Sequence, residues 1–384
     1  MKIVFVTFHN WKTKRIGGFH KFAEACADAG HDVVFFSAAR PYFIRFKHEE
    51  RLNKNVLVEL SKGVEYKTEK GSSIINCTWP TLRIPMPLYK YIPIRINEWF
   101  NSHSLGFFSS FQEKFLKGTD VFVFESCDCL DLYDKIRKYN PNSKYVYRPS
   151  DPLAVSNNKE TLNKEFHVLS ESDMSFIVNQ EGIDLYRSKY PDFDKKVKCQ
   201  LLSNGVDVEK FGISYPIPKE LQKPNTALYL GARKAQWDLL LYCARECPNV
   251  NFVIVCPEKP SAEFLNSKFS NLNYIPGIAP SEVPAWVTNC DIVIIPNPKG
   301  MWKVKPWGIT AKYYQAMKAN KPIVAYEDTP RLKTEFDIDV AYSEVDFVKY
   351  IQNAMSIKGN VSYRLENKDW KSITDKFIEE LQKL

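Results

Sequence analysis

The strongest constraint on this chain is an alternation, repeated along most of its length, of short apolar runs with segments of helical period. Lys2-Ile-Val-Phe-Val-Thr7 and Asp32-Val-Val-Phe-Phe-Ser37 are apolar on both faces, as strands in the middle of a parallel sheet are. Between them, residues from about Phe19 to Ala29 have helical spacing and end at Gly30, a residue suited to a helix C-terminus. Asp120-Val-Phe-Val-Phe-Glu125 and Lys144-Tyr-Val-Tyr-Arg148 continue the series around a helical segment at 131–139. His167-Val-Leu169 and Ser175-Phe-Ile-Val-Asn179 read as further strands. Parallel strands need crossovers, so this alternation implies a Rossmann-like α/β sheet.

A second series begins after residue 220. Ala227-Leu-Tyr-Leu-Gly231, Asn251-Phe-Val-Ile-Val-Cys256, Asp291-Ile-Val-Ile-Ile-Pro296 and Pro322-Ile-Val-Ala-Tyr326 read as strands, with helices at 238–246, 281–288 and 309–319. The chain has 384 residues, which suits two domains of ~100–200 residues each. The expected division is a first domain at 1–204, a linker at 205–224 carrying Pro216, Pro218 and Pro224, and a second domain at 225–366. Residues 367–384 form a terminal amphipathic helix with no strand after it.

Several classes are excluded early. The apolar run after Met1 has no small-residue cleavage site behind it, so it reads as a strand and not as a secretory signal. No run approaches the ~18–20 apolar residues that span a bilayer. The nine cysteines are scattered, and the close pairs Cys127/Cys129 and Cys243/Cys247 lack metal-ligand spacing, which fits reduced thiols in the cytoplasm.

Charge is distributed unevenly. Residues 1–119 carry 18 Lys/Arg and 10 Asp/Glu, which accounts for the whole formal +8, while the remaining residues balance at 35 and 35. A basic first third attracts nucleic acid, an acidic membrane or a phosphorylated substrate. From Trp79 to Phe111 there are eight aromatic residues interleaved with Arg83, Lys90 and Arg95. Two readings fit that segment: a loop at a membrane interface, or an irregular lid packed on its own domain.

The candidate chemistry lies at strand ends, where open α/β sheets bind ligands. Gly17-Gly18 before the first helix lets a ligand approach the backbone, and Lys12, Lys14 and Arg15 add charge there. No G-x-G-x-x-G occurs at that turn, which disfavours dinucleotide chemistry. Asp151 follows a strand in Tyr147-Arg-Pro-Ser-Asp151 and is either a general base near Arg148 or the carboxylate of an Asx turn. Glu125 is a second carboxylate on the same edge. In the second half, Arg233, Lys303, Lys305 and Lys312 are candidate phosphate-binding cations, Lys312 in the first turn of a helix. A metal-bridged diphosphate is not expected, the protein cations being the candidates for that work.

The opening strand, Gly17-Gly-Phe-His-Lys-Phe-Ala23, Leu202-Ser-Asn-Gly-Val-Asp207 and Pro248-Asn-Val-Asn-Phe-Val-Ile254 resemble GT-B glycosyltransferases. Within that fold, Asp120–Ser126, Lys144–Asp151 and Lys312-Tyr-Tyr-Gln315 are similar to motifs of the bacterial xanthan-type β-glucuronosyltransferases, family 70. Ala311, Asn297 and Arg233 stand where that pattern has Met, Tyr and Met.

The resemblance implies two Rossmann-like domains facing a central cleft, with the C-terminal helix returning to the first. It implies transfer with inversion from a UDP-sugar to a lipid-diphosphate-linked oligosaccharide, with no metal or other cofactor. Asp151 becomes the catalytic base. Arg233, Lys303, Lys305, Lys312, Gln315 and Asn297 become the nucleotide-sugar site, and Gly17, Gly18, His20, Glu125 and Arg148 the acceptor side. The implied partners are an anionic membrane at the inner face of the cell, met through 79–111 and the basic first domain, and not nucleic acid. A retaining family-4-like transferase, a UDP-sugar 2-epimerase and a non-catalytic nucleotide-sugar-binding protein are the alternatives. The paired glutamates of the retaining family are absent, Gly308 and Gln315 standing at that seven-residue spacing.

Overall fold

The computed structural model describes all residues except 14–15, 39, 43–53, 85–87, 89–90, 232–234, 301–307 and 360. The chain divides into two compact units, Met1–Ser203 with Lys371–Leu384, and Asn204–Trp370.

The first unit is built on an eight-stranded sheet of order β3-β4-β2-β1-β5-β6-β7-β8. Its strands are β1 (Lys2–Thr7), β2 (Asp32–Ser37), β3 (Val64–Lys67), β4 (Ser73–Cys77), β5 (Val121–Glu125), β6 (Lys144–Arg148), β7 (Met174–Ile177) and β8 (Cys199–Leu201). All pairs are parallel except β3 with β4, an antiparallel hairpin that the sequence pattern did not reveal. Helices α1 (Gly18–Asp28), α2 (Ile94–Asn101) and α3 (Lys159–Glu171) lie along this part of the chain. The central strands are enclosed on both faces, as their unbroken apolar runs require; Val4, Phe5, Phe122, Phe124 and Val146 have no exposed surface. Each such side chain contributes about 1.5–3 kcal/mol on burial.

The second unit holds a six-stranded, wholly parallel sheet of order β11-β10-β9-β12-β13-β14. Its strands are β9 (Thr226–Leu230), β10 (Asn251–Val255), β11 (Leu272–Ile275), β12 (Ile292–Pro296), β13 (Ile323–Tyr326) and β14 (Asp339–Ala341). Helix α4 (Ala311–Lys318) precedes β13, and α5 (Trp370–Gln382) ends the chain. Phe377 of α5 packs in the first unit, its ring 4.5 Å from that of Phe22 and 5.3 Å from that of Phe176.

Three expectations change. His167-Val-Leu169 is not a strand but part of α3, whose start is capped by Asn158 accepting from the N–H groups of Glu160 (2.9 Å) and Thr161 (3.0 Å). A three-residue run is too short to define a period, and the cap decides. Residues 205–224 are not a free linker but part of the second unit, where Val206, Phe211 and Leu221 enter its core. Val206 also bridges to Asp369, so the chain enters and leaves this unit side by side. A Cβ on Gly205 would stand 2.7 Å from the Trp370 Cα, which explains a glycine there. The aromatic segment divides: Trp79, Phe108 and Phe111 are in the core of the first unit, while Tyr91, Trp99 and Phe107 are exposed, Phe107 by 84%.

Candidate active site

Parallel strands end on one side, so register alone gathers side chains at the C-terminal edge. In the first unit Thr7 pairs with Ser37 across β1 and β2, and Glu125 with Arg148 across β5 and β6. Glu125 is only 2% exposed. Its Oε1 accepts from Ser150 Oγ at 2.7 Å, and its Oε2 accepts from Thr7 Oγ1. Burial pushes this carboxyl up, but His9 together with the Thr7 and Ser150 hydroxyls outweighs it and holds Glu125 below the usual range. Arg148 is fully enclosed beside it, its guanidinium 4.4 Å over the Phe22 ring. Burial lowers Arg148 to about 10, countered by the Glu125 charge, so it keeps its proton at neutral pH.

Asp151 is exposed, and its loop is pinned to the end of β5 at two points. Its N–H donates to Ser126 Oγ at 3.3 Å, and the preceding Ser150 donates to Glu125. An accessible carboxylate on a held loop at a strand end has the geometry of a general base or a hydroxyl-orienting group.

The other first-unit candidates have roles inside the protein. Gly17 is the N-cap of α1 and Gly18 its first residue. Gly17 N–H donates to His20 Nδ1 at 3.3 Å, so Nε2 carries the proton and donates to the Asn10 carbonyl at 2.9 Å. Burial lowers the His20 pKa, with the Asn10 carbonyl opposing, and the ring is neutral. Expected as acceptor contacts, His20, Glu125 and Arg148 are enclosed in the first unit instead. They belong to fully packed strand and helix ends, which sequence spacing does not distinguish from an exposed rim. Lys14 and Arg15 lie outside the described residues.

In the second unit the corresponding edge centres on Asp328, after β13, which is 5% exposed. Its Oδ2 accepts from Asn297 Nδ2 at 2.7 Å and from Tyr313 Oη, and its Oδ1 accepts from the Thr329 N–H at 2.8 Å. Burial raises the Asp328 pKa, only partly offset by Tyr313, Thr329, Asn297 and the Lys312 charge. Half-buried Asn297 is thus turned toward a carboxylate. Lys312, second residue of α4, stands 5.5 Å from the Tyr229 ring centroid and lines a small recess with Gln315, Leu228, Leu230 and Ala316. Arg233, Lys303 and Lys305 lie outside the described residues. Lys312 and Gln315 thus lie on α4, and Asn297 directly follows β12.

Sequence reading passed over Thr7, His9, Ser150, Tyr313 and Asp328. Thr7 and Asp328 carried a weak signal, each being a polar residue at or just after the end of an apolar run. Among the described residues no group of three His, Cys, Asp or Glu side chains comes together as a metal-ligand set, and no helix is long and apolar enough to cross a membrane.

Residues 5–177 match the family profile of the glucuronosyltransferase GumK N-terminal domain. No curated protein sequence matches the chain. Among solved structures, Anabaena Alr3699/HepE in complex with UDP superposes over 100% of both chains with a TM-score of 0.65 at 11% identity. A UDP-forming α,α-trehalose-phosphate synthase from Burkholderia vietnamiensis gives 0.65 at 11%, covering 99% of this chain and 96% of its own. The trehalose-6-phosphate synthase OtsA gives 0.64 at 10%, covering 100% and 99%. At such identities the superpositions establish the fold. The chain therefore has the two-sheet fold of these GT-B structures, and its residues 5–177 are similar to the N-terminal domain of the glucuronosyltransferase GumK.

Proposed function

We propose that this chain transfers glucuronic acid from UDP-glucuronic acid to a lipid-diphosphate-linked oligosaccharide, with inversion, in the synthesis of a bacterial surface polysaccharide. The observation that carries the reading is Asp151, an accessible carboxylate held by Ser126 and Glu125 within the segment that matches a glucuronosyltransferase domain. Asp151 takes the proton of the acceptor hydroxyl as its oxygen attacks the anomeric carbon. Lys312 and the N-terminus of α4 meet the negative charge that grows on the departing diphosphate, with Arg233, Lys303 and Lys305 as further cations and Gln315 and Asn297 as hydrogen-bonding partners of the nucleotide sugar. These protein cations do the work without a metal. The UDP and UDP-glucose complexes of the Anabaena structure support a uridine nucleotide as donor.

The acceptor meets the C-terminal edge of the first sheet. Tyr91, Trp99 and Phe107, with Ile96 and Leu105, give this unit exposed apolar side chains beside its basic surplus. That combination supports peripheral attachment to an anionic leaflet on the cytoplasmic side, with no nucleic-acid partner.

Replacing Asp151 by Asn tests the reading. Transfer is expected to fall by about 10²–10⁴ while UDP binding is retained; unchanged transfer removes Asp151 from the chemistry. Flotation with vesicles addresses the surface: binding is expected to need anionic lipid and to weaken with salt, and equal binding to neutral vesicles removes its electrostatic part.

A further inference from the structure

Glu125 has one neighbour for which the mechanism above has no use. His9 stands two residues past the end of β1, its N–H donating to Thr7 Oγ1 at 3.1 Å and its carbonyl accepting from Ser37 Oγ at 2.5 Å. Its side chain is 29% exposed, and its Nε2 lies 3.6 Å from Glu125 Oε1. That same oxygen accepts from Ser150, the residue before Asp151. His9 and the Asp151 loop therefore meet on a single buried carboxylate oxygen.

A carboxylate facing one ring nitrogen selects the tautomer protonated there, here Nε2, and leaves Nδ1 as a proton acceptor. Two charged or titratable neighbours of this carboxylate are otherwise engaged. Arg148 is a fixed cation balancing Glu125, and His20, its ring 5.5 Å from that of His9, has its own proton committed to the Asn10 carbonyl.

We infer that His9, oriented by Glu125, is the proton-relay residue of this edge: the proton that Asp151 takes from the acceptor hydroxyl passes on to Nδ1 of His9. The acceptor oxygen donates its electron pair to the anomeric carbon while the bond from that carbon to the diphosphate oxygen breaks and its pair leaves with UDP. The proton moves from the hydroxyl to the Asp151 carboxylate, then to the imidazole, and from the imidazolium to water. Glu125 balances the transient positive charge. The inference rests on Asp151 as the base.

The test compares His9→Ala with Asp151→Asn by UDP release from UDP-glucuronic acid, and from UDP-glucose as second donor, with a synthetic polyprenyl-diphosphate oligosaccharide as acceptor. His9→Ala is expected to turn over about 100-fold more slowly, to bind UDP normally and to be restored by added imidazole. Wild-type turnover, or a loss that imidazole leaves unrestored, overturns the relay. A slow Asp151→Asn beside a full-rate His9→Ala overturns the relay alone, whereas a full-rate Asp151→Asn overturns both the base and the relay that rests on it. A readout independent of turnover is ¹⁵N NMR of the histidine-labelled protein. The Nε2–H tautomer of His9 is expected, with loss of that preference in Glu125→Gln; an Nδ1–H tautomer in the wild type overturns the assignment.

Discussion

Glu125 in the first unit and Asp328 in the second are both buried carboxylates where parallel strands end, 2% and 5% exposed, yet their surroundings drive them in opposite directions. Glu125 is held ionised by His9, Thr7 and Ser150, and it partly offsets the burial of the Arg148 guanidinium. Asp328 is ringed by the Tyr313 hydroxyl, the Asn297 amide and a backbone N–H, and burial wins. One edge stores a compensated pair of charges; the other leans toward a neutral acid. What separates them is the set of neighbours, not the depth of burial.

The largest effect should come from breaking the charged pair. Glu125→Ala removes the carboxylate charge that offsets the burial of Arg148 and is expected to cost about 3–5 kcal/mol, read as a lower urea midpoint. Asp328→Ala removes no full charge partner but strands Tyr313 and Asn297, for about 1–3 kcal/mol. If the two losses are equal, the contrast between the edges fails. Lys312→Ala should leave the melting temperature unchanged and weaken UDP binding about tenfold by calorimetry, ~1.4 kcal/mol; unaltered UDP affinity would take Lys312 out of the donor site.

The smallest effect is one of sign. The Glu125 pKa is depressed by folding, so its contribution is present above the unfolded carboxylate value of ~4.3 and is lost as pH falls through the folded value. The Asp328 pKa is raised, so the folded state takes up the proton first, and its contribution grows as pH falls from the folded value toward ~3.9. Stability of Asp328→Asn measured from neutral pH to pH 4 should therefore fall more steeply than that of the wild type. Parallel curves would contradict a raised Asp328.

The strands with unbroken apolar runs were legible in the sequence because burial on both faces leaves a signature in every residue. The β3–β4 hairpin was not: Val64–Lys67 alternates intermediate and exposed residues over four positions, too few for a period. Asp151 and Lys312 could be picked out because each follows or begins an element, and Gln315 through the motif Lys312-Tyr-Tyr-Gln315. The Glu125 cluster could not, because Thr7, His9 and Ser150 lie 25 to 118 residues from Glu125 and reach it only through strand register. Burial of His20 and Arg148 was hidden for the same reason: sequence shows a charge or a ring, and only packing shows which way it faces.

The bridge from Val206 to Asp369 has a consequence for how chains of this fold diversify. Residues 204–370 are continuous in sequence, and Val206 N–H donates to the Lys368 carbonyl at 2.9 Å while Trp370 N–H donates to the Val206 carbonyl at 3.2 Å. The first unit is consequently interrupted once, and the interruption begins and ends on adjacent backbone. In gene terms the second unit is a cassette: one exchange with two neighbouring junctions would replace every strand of its sheet, together with Lys312 and Asp328, and leave Asp151 and its supports untouched.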